Sequence, residues 1–116
     1  MIDRTAGGAA LLAVFILGAC QTYEAQPQRT AMDGRWASSD GVFIATFQGG
    51  SFTSRFIQTN EILAQGTYGV TGSNVSLRWL SVQAQEQRAA TCTFTSTDSV
   101  HCQQEGGGSF DLLRSA

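Results

Sequence analysis

Residues 74–80 read Asn74-Val75-Ser76-Leu77-Arg78-Trp79-Leu80, with Val75, Leu77 and Trp79 alternating against Ser76 and Arg78. Alternation at a period of two puts successive side chains on opposite faces of an extended strand, so this stretch is a strand with one buried face. The flanking Thr71-Gly72-Ser73 is turn chemistry. Upstream, residues 62–70 place Ile62, Ala64, Gly66, Tyr68 and Val70 on one side, with glycines at 66 and 69 where a strand can bend or bulge. Downstream, residues 82–88 are polar and lack glycine, and read as a long hairpin tip rather than an exposed helical turn.

The same grammar extends in both directions. Residues 89–95 and 99–103 form a hairpin about Ser96-Thr97-Asp98; pairing Thr95 with Ser99 sets Cys92 opposite Cys102, with Phe94 and Val100 on one face. Gly106-Gly107-Gly108 turns into residues 109–114, where Phe110 and Leu112 point inward. Toward the N-terminus, Gly34-Arg35-Trp36 opens a first strand, and Asp40-Gly41 suits a tight hairpin turn. Val42 to Phe47 is apolar on both faces, as a strand covered on each side would be, and Phe52, Ser54 and Phe56 share one face of the next.

About eight short strands joined by short turns predict an all-β fold, a small antiparallel up-and-down β-barrel; the opening Gly34-Arg35-Trp36 resembles that of lipocalin-like barrels, and the plan is similar to the bacterial protease-inhibitor-like barrels. Closure removes the exposed edges that an open meander would leave. Large inward side chains, namely Trp36, Phe52, Phe56, Tyr68, Trp79, Phe94 and Phe110, predict a filled interior rather than a roomy cavity. Strands shorter than the 9–11 residues of a spanning strand predict a barrel that does not cross a membrane.

The chain starts differently. Ala6 to Ala19 is an uninterrupted run of apolar and small residues behind Arg4, the layout of a secretory signal peptide and shorter than the about 20 residues a spanning helix needs. Leu17-Gly18-Ala19-Cys20 then has a large aliphatic residue where ordinary signal peptidase takes a small one. It resembles the lipobox of bacterial lipoproteins, which implies recognition of Leu17, Gly18 and Ala19 by the lipoprotein signal peptidase and lipidation of Cys20 with diacylglycerol and a fatty acyl chain such as palmitate. Two or three acyl chains anchor permanently where one does so only marginally. Gln21, in place of an aspartate, implies by the same resemblance sorting to the outer membrane. The organisation read from the chain is a lipoprotein signal peptide over residues 1–19, a lipidated cysteine and flexible spacer over 20–32, and the barrel domain over 33–116.

With three cysteines in the chain, lipid on Cys20 leaves Cys92 and Cys102 as a disulfide pair in an oxidising compartment. A net charge of −2, with arginine as the sole cationic side chain, argues against nucleic-acid binding. The single histidine, His101, lies beside Cys102 and so on the opposite strand face, which leaves neither a metal-ligand set nor a nucleophile–histidine arrangement. No cofactor, metal or catalytic residue is predicted, and the chain reads as a non-enzyme.

The ordered set Gly34-Arg35-Trp36, Asp40-Gly41, Phe47-Gln48-Gly49-Gly50-Ser51-Phe52, Thr59-Asn60-Glu61-Ile62-Leu63-Ala64-Gln65-Gly66-Thr67-Tyr68, Cys92, Cys102 and Phe110-Asp111-Leu112-Leu113-Arg114 resembles the minor outer-membrane lipoprotein family of alphaproteobacteria, the Omp lipoproteins of roughly ten kilodaltons. The resemblance covers nearly all of the barrel region and is weakest between Leu80 and Ala89. It implies an outer-membrane lipoprotein, lipid-anchored on the periplasmic or cell-surface face, and no catalytic residues. The function expected is a non-catalytic structural or interaction role in the cell envelope, with an envelope protein as partner. The alternative is a lipid-anchored protease inhibitor with a protease as partner; small apolar-ligand binding in the lumen ranks below both.

Overall fold

A computed structural model describes residues 29–115. Eight strands, β1 (Gly34–Ser38), β2 (Phe43–Gln48), β3 (Ser51–Phe56), β4 (Ile62–Thr71), β5 (Asn74–Ser81), β6 (Glu86–Ser96), β7 (Ser99–Gln104) and β8 (Ser109–Arg114), close in sequence order into a barrel. Every neighbouring pair is antiparallel, and closure comes from Trp36, Ala37 and Ser38 of β1 against Arg114, Leu113 and Leu112 of β8. The predicted up-and-down barrel is what the chain forms.

The alternating stretch in β5 does what its pattern requires. Val75 and Leu77 are buried, Ser76 and Arg78 are exposed, and Trp79 is partly buried over the lumen. The core is the lumen itself, with Trp36, Phe47, Val75, Cys92, Val100, Cys102 and Leu112 almost wholly removed from water. Outward faces carry Arg35, Arg55, Gln65, Thr67, Thr91 and Thr93. Apolar in and polar out is the reverse of a spanning barrel, and this arrangement carries the distinction better than strand length, since β4 has 10 residues and β6 has 11.

Three local expectations are corrected. Residues 42–47 are not covered on both faces: Phe43, Ala45 and Phe47 point inward, Ile44 lies outward and half-buried, and Val42 is 44% exposed, because a barrel wall has only one core side. The tip between β5 and β6 is shorter than residues 82–88, since Glu86, Gln87 and Arg88 pair with Ser81, Leu80 and Trp79. At the end of β6, Thr95 does not face Ser99; the register shifts and Ser96 takes that place. The Thr95 and Ser96 hydroxyls each bond the Ser99 hydroxyl there, and Ser96 Oγ accepts from the Asp98 N–H, so side-chain bonds replace a ladder rung.

Gly66 shows why β4 needs a residue without a side chain. A Cβ there would lie 2.0 Å from the Arg78 carbonyl oxygen and 2.7 Å from the Trp79 Cα, so glycine lets β4 and β5 approach where the wall curls.

Candidate functional site

The two ends of the barrel differ, and the difference originates in the sequence around Trp36. At the end where the chain enters, Thr30 to Asp33 form a turn across the lumen, with the Asp33 N–H donating to the Thr30 carbonyl at 3.1 Å. Met32 is fully buried, so the packed unit begins before Asp33, within what composition reads as spacer. Trp36 Nε1 donates to the Met32 carbonyl at 2.9 Å. Arg114, from the last strand, lies with its guanidinium carbon 4.3 Å from the Trp36 ring centre. It also donates to the Asp33 carbonyl (3.0 Å) and the Ala31 carbonyl (2.7 Å), and its Nε bonds Asp98 (3.1 Å) in the β6–β7 turn. Gly34, at φ +124°, leaves room for this arginine, since a Cβ there would come 3.0 Å from its terminal nitrogen. One side chain thus joins the entering segment, the first strand, the last strand and a turn.

Asp33 completes the closed end by accepting from the Tyr68 hydroxyl at 2.6 Å and from Thr30 Oγ1 at 2.8 Å. Burial raises the Asp33 pKa, but the hydrogen bonds from Tyr68 and Thr30, with the charge of Arg29, outweigh it and hold the carboxyl below its ordinary value. Burial, reinforced by the Asp33 bond, raises Tyr68 above its ordinary value. A depressed carboxyl contributes stability that is present above its unfolded pKa and lost as pH falls through the folded one. The raised phenol loses its contribution as pH rises through its folded value. Tyr68→Phe is therefore expected to cost about 1–2 kcal/mol at neutral pH, with the difference from wild type shrinking as pH falls through the depressed Asp33 value and the carboxylate is protonated. Urea midpoints measured between pH 2 and 7 check this, and a pH-independent difference contradicts it.

The opposite end is open. A cavity of about 290 Å³ enters the lumen between the β1–β2, β3–β4, β5–β6 and β7–β8 turns. Phe43, Phe52, Trp79 and Phe110 surround it, meeting edge to face at Phe43–Phe110 (6.3 Å), Trp79–Phe110 (6.5 Å) and Phe52–Trp79 (6.3 Å). Between Phe43, Phe47, Phe52 and Leu63, the wall made by β2, β3 and β4 carries Ala45, Ser54 and Ala64, which pair across strands, and these small side chains leave the space empty. The interior is filled only at the closed end, which corrects the expectation drawn from the count of aromatic residues. Ser81, Gln83, Arg88 and Gln104 supply polar groups at the rim. Val42, Ile57 and Val82, three of the four large exposed apolar side chains of the described residues, lie at or beside the turns of this same end. A larger recess outside β2 and β3 is lined by Arg35, Arg55 and Asn60 together with Ile44, Phe56 and Ile57, and its lining is more polar than that of the mouth.

Of the residues singled out from sequence, Cys92 and Cys102 face each other across β6 and β7 and form a disulfide, with both side chains fully buried. Cys20, Leu17, Gly18 and Ala19 lie outside the described residues. His101 pairs across strands with Asp111 (Nδ1 to Oδ1 2.7 Å) on the outer surface. Among the described residues no three His, Cys, Asp or Glu side chains converge as a metal site would require. Sequence reasoning missed Met32, Asp33 and Arg114 at the closed end and Ser54 and Arg88 at the mouth. The one signal available for Arg114 was its place at the end of a segment resembling the lipoprotein family.

Comparison with known proteins bears on the whole barrel. The family model for the outer membrane lipoprotein Omp10 matches residues 33–113. An outer membrane lipoprotein Omp10 homolog of Rhizobium meliloti is 32% identical over 89 residues, covering 76% of this chain and 72% of the relative. A homolog of the same name from Mesorhizobium japonicum is 30% identical over 105 residues, covering 85% and 84%. Outer membrane lipoprotein Omp10 of Brucella melitensis is 29% identical over 84 residues, covering 72% and 66%. No solved structure matches the chain. With a match running from the turn before β1 to the penultimate residue of β8, the chain belongs to the outer membrane lipoprotein Omp10 family.

Proposed function

We propose that the chain is a non-catalytic lipoprotein of the outer membrane, held by acyl chains on Cys20, with a structural or interaction role in the envelope. The observation that carries the reading is the asymmetry of the barrel ends. The segment leading back toward Cys20 leaves from the closed end, where Met32 and Asp33 are bound by Trp36, Arg114 and Tyr68. A tether at that end attaches the barrel by its closed base and leaves the open mouth at the end opposite the attachment. Leu17-Gly18-Ala19-Cys20 supplies the lipidation signal, and the family's membership of the outer membrane lipoproteins supports the address. Two or more acyl chains make such attachment effectively irreversible.

Growth with radiolabelled palmitate tests the anchor. Wild type is expected to take up label and sediment with outer membranes, and Cys20→Ala to lose both. Equal labelling of the two would refute lipidation at Cys20.

A further inference from the structure

We propose that the open mouth is a binding site for a small aromatic carboxylate of about two rings that carries a hydrogen-bonding substituent. This does not depend on the anchor.

Size sets the first limit. An apolar cavity of about 150 Å³ accepts a benzene ring, and the mouth at about 290 Å³ is roughly twice that. The lining sets the second. Phe43, Phe52, Trp79 and Phe110 already meet edge to face around the space, and a flat aromatic body extends that arrangement.

Ser54 sets the third and is the strongest pointer to a ligand. It is 94% buried, lines the cavity, and its hydroxyl has no hydrogen-bond partner among the described residues. A buried hydroxyl in an apolar wall is costly unless something bonds to it. A polar substituent on the bound molecule satisfies it.

Arg88 sets the fourth. It pairs across strands with Trp79, so it projects on the lumen side of β6 at the rim. Its ion pair with Glu86 is 3.3 Å long, with side chains 41% and 58% exposed, so a ligand carboxylate can join or replace that partner at little cost. Gln104, beside it on β7, offers a further donor.

The test uses 6-hydroxy-2-naphthoate, 2-naphthoate and 2-naphthol as probes. Their fluorescence anisotropy is followed against the chain as its host makes it, in phospholipid nanodiscs free of detergent, with empty nanodiscs as blank. Saturable binding to wild type is expected, with the hydroxynaphthoate about fivefold tighter than 2-naphthoate, the equivalent of one neutral hydrogen bond. Ser54→Ala is expected to abolish that preference while leaving 2-naphthoate unchanged. Arg88→Gln is expected to abolish the preference for 2-naphthoate over 2-naphthol. Ala64→Leu, which fills the small-residue wall, is expected to weaken all three probes, with circular dichroism verifying that this variant folds. Absence of saturable binding to wild type below millimolar concentration overturns the proposal. So does binding that Ser54→Ala and Arg88→Gln, which alter only a side-chain hydroxyl and a rim charge, both leave unaltered.

Discussion

Trp36→Ala is expected to cost the barrel about 4–5 kcal/mol, near the top of the range for removing a buried aromatic side chain. The ring is fully buried and meets Phe94 edge to face at 6.2 Å, so truncation leaves a void at the closed end of the lumen. Two further losses accompany the void. The Met32 carbonyl loses its Nε1 donor, and Arg114 loses the ring beneath its guanidinium. A small domain commonly has only 5–15 kcal/mol of stability in all, so this substitution is expected to leave a substantial fraction unfolded in buffer at growth temperature. Trp36→Phe keeps most of the volume and loses the N–H, and is expected to cost roughly half as much. Urea unfolding followed by circular dichroism measures both. A shift for Trp36→Ala smaller than about 1 kcal/mol, well below the about 3–5 kcal/mol usual for truncating a buried aromatic side chain, would show that the closed end is not a unit of the fold.

The dependence on Trp36 also explains what could be read in advance and what could not. Periodicity tells which face of a strand a residue occupies, and it placed Val75, Leu77, Trp79, Phe110 and Leu112 correctly because one face of each strand is the lumen. It does not tell at what height along the barrel axis a residue sits. Of the seven aromatic side chains that the pattern places inside, Trp36 fills one end while Trp79 borders a void at the other, near Ala45, Ser54 and Ala64, and Phe56 lines the recess outside β2 and β3. That division depends on register around eight strands, set by the bulges at Ser54/Arg55 and Phe94/Ser96.

The closed end was illegible for a related reason. Arg114 meets Ala31, Asp33 and Trp36 only because the last strand returns to the first, a pairing with no local signature. Met32 sits between polar and small residues, so composition assigned it to the spacer, whereas the turn anchored by Thr30 and Asp33 folds it into the lumen. Cys92 and Cys102 were legible because they lie symmetrically about a turn, and the rungs 92–102 and 94–100 survive the shift beyond them. The order of the wall residues is where sequence reasoning and geometry parted, and it is also where the candidate ligand site lies.

Removing the disulfide with Cys92→Ala/Cys102→Ala is expected to cost about 3 kcal/mol. The bridge spans a sequence separation of 10, and constraining a loop of that length in the unfolded chain contributes about 2–3 kcal/mol by the loop-entropy account. Both sulfurs are also buried beside Val75, with which Cys92 pairs on the neighbouring strand, so their removal takes packing atoms from the lumen as well. Burial separates two effects that are often confounded. In the folded barrel no reductant reaches the sulfurs, so dithiothreitol under native conditions is expected to release thiols only as fast as the barrel opens. In urea above the midpoint, release is expected to be rapid. Thiol titration against time in the two conditions measures this, while urea midpoints of oxidised wild type and the double alanine variant measure the stability difference. Coincident midpoints would show that the hairpin turn at Thr97 and Asp98 already supplies all the restriction the cross-link imposes. A deficit of about 3 kcal/mol would instead make oxidation a condition for folding at growth temperature, because a domain of this length has a core too small to absorb that loss.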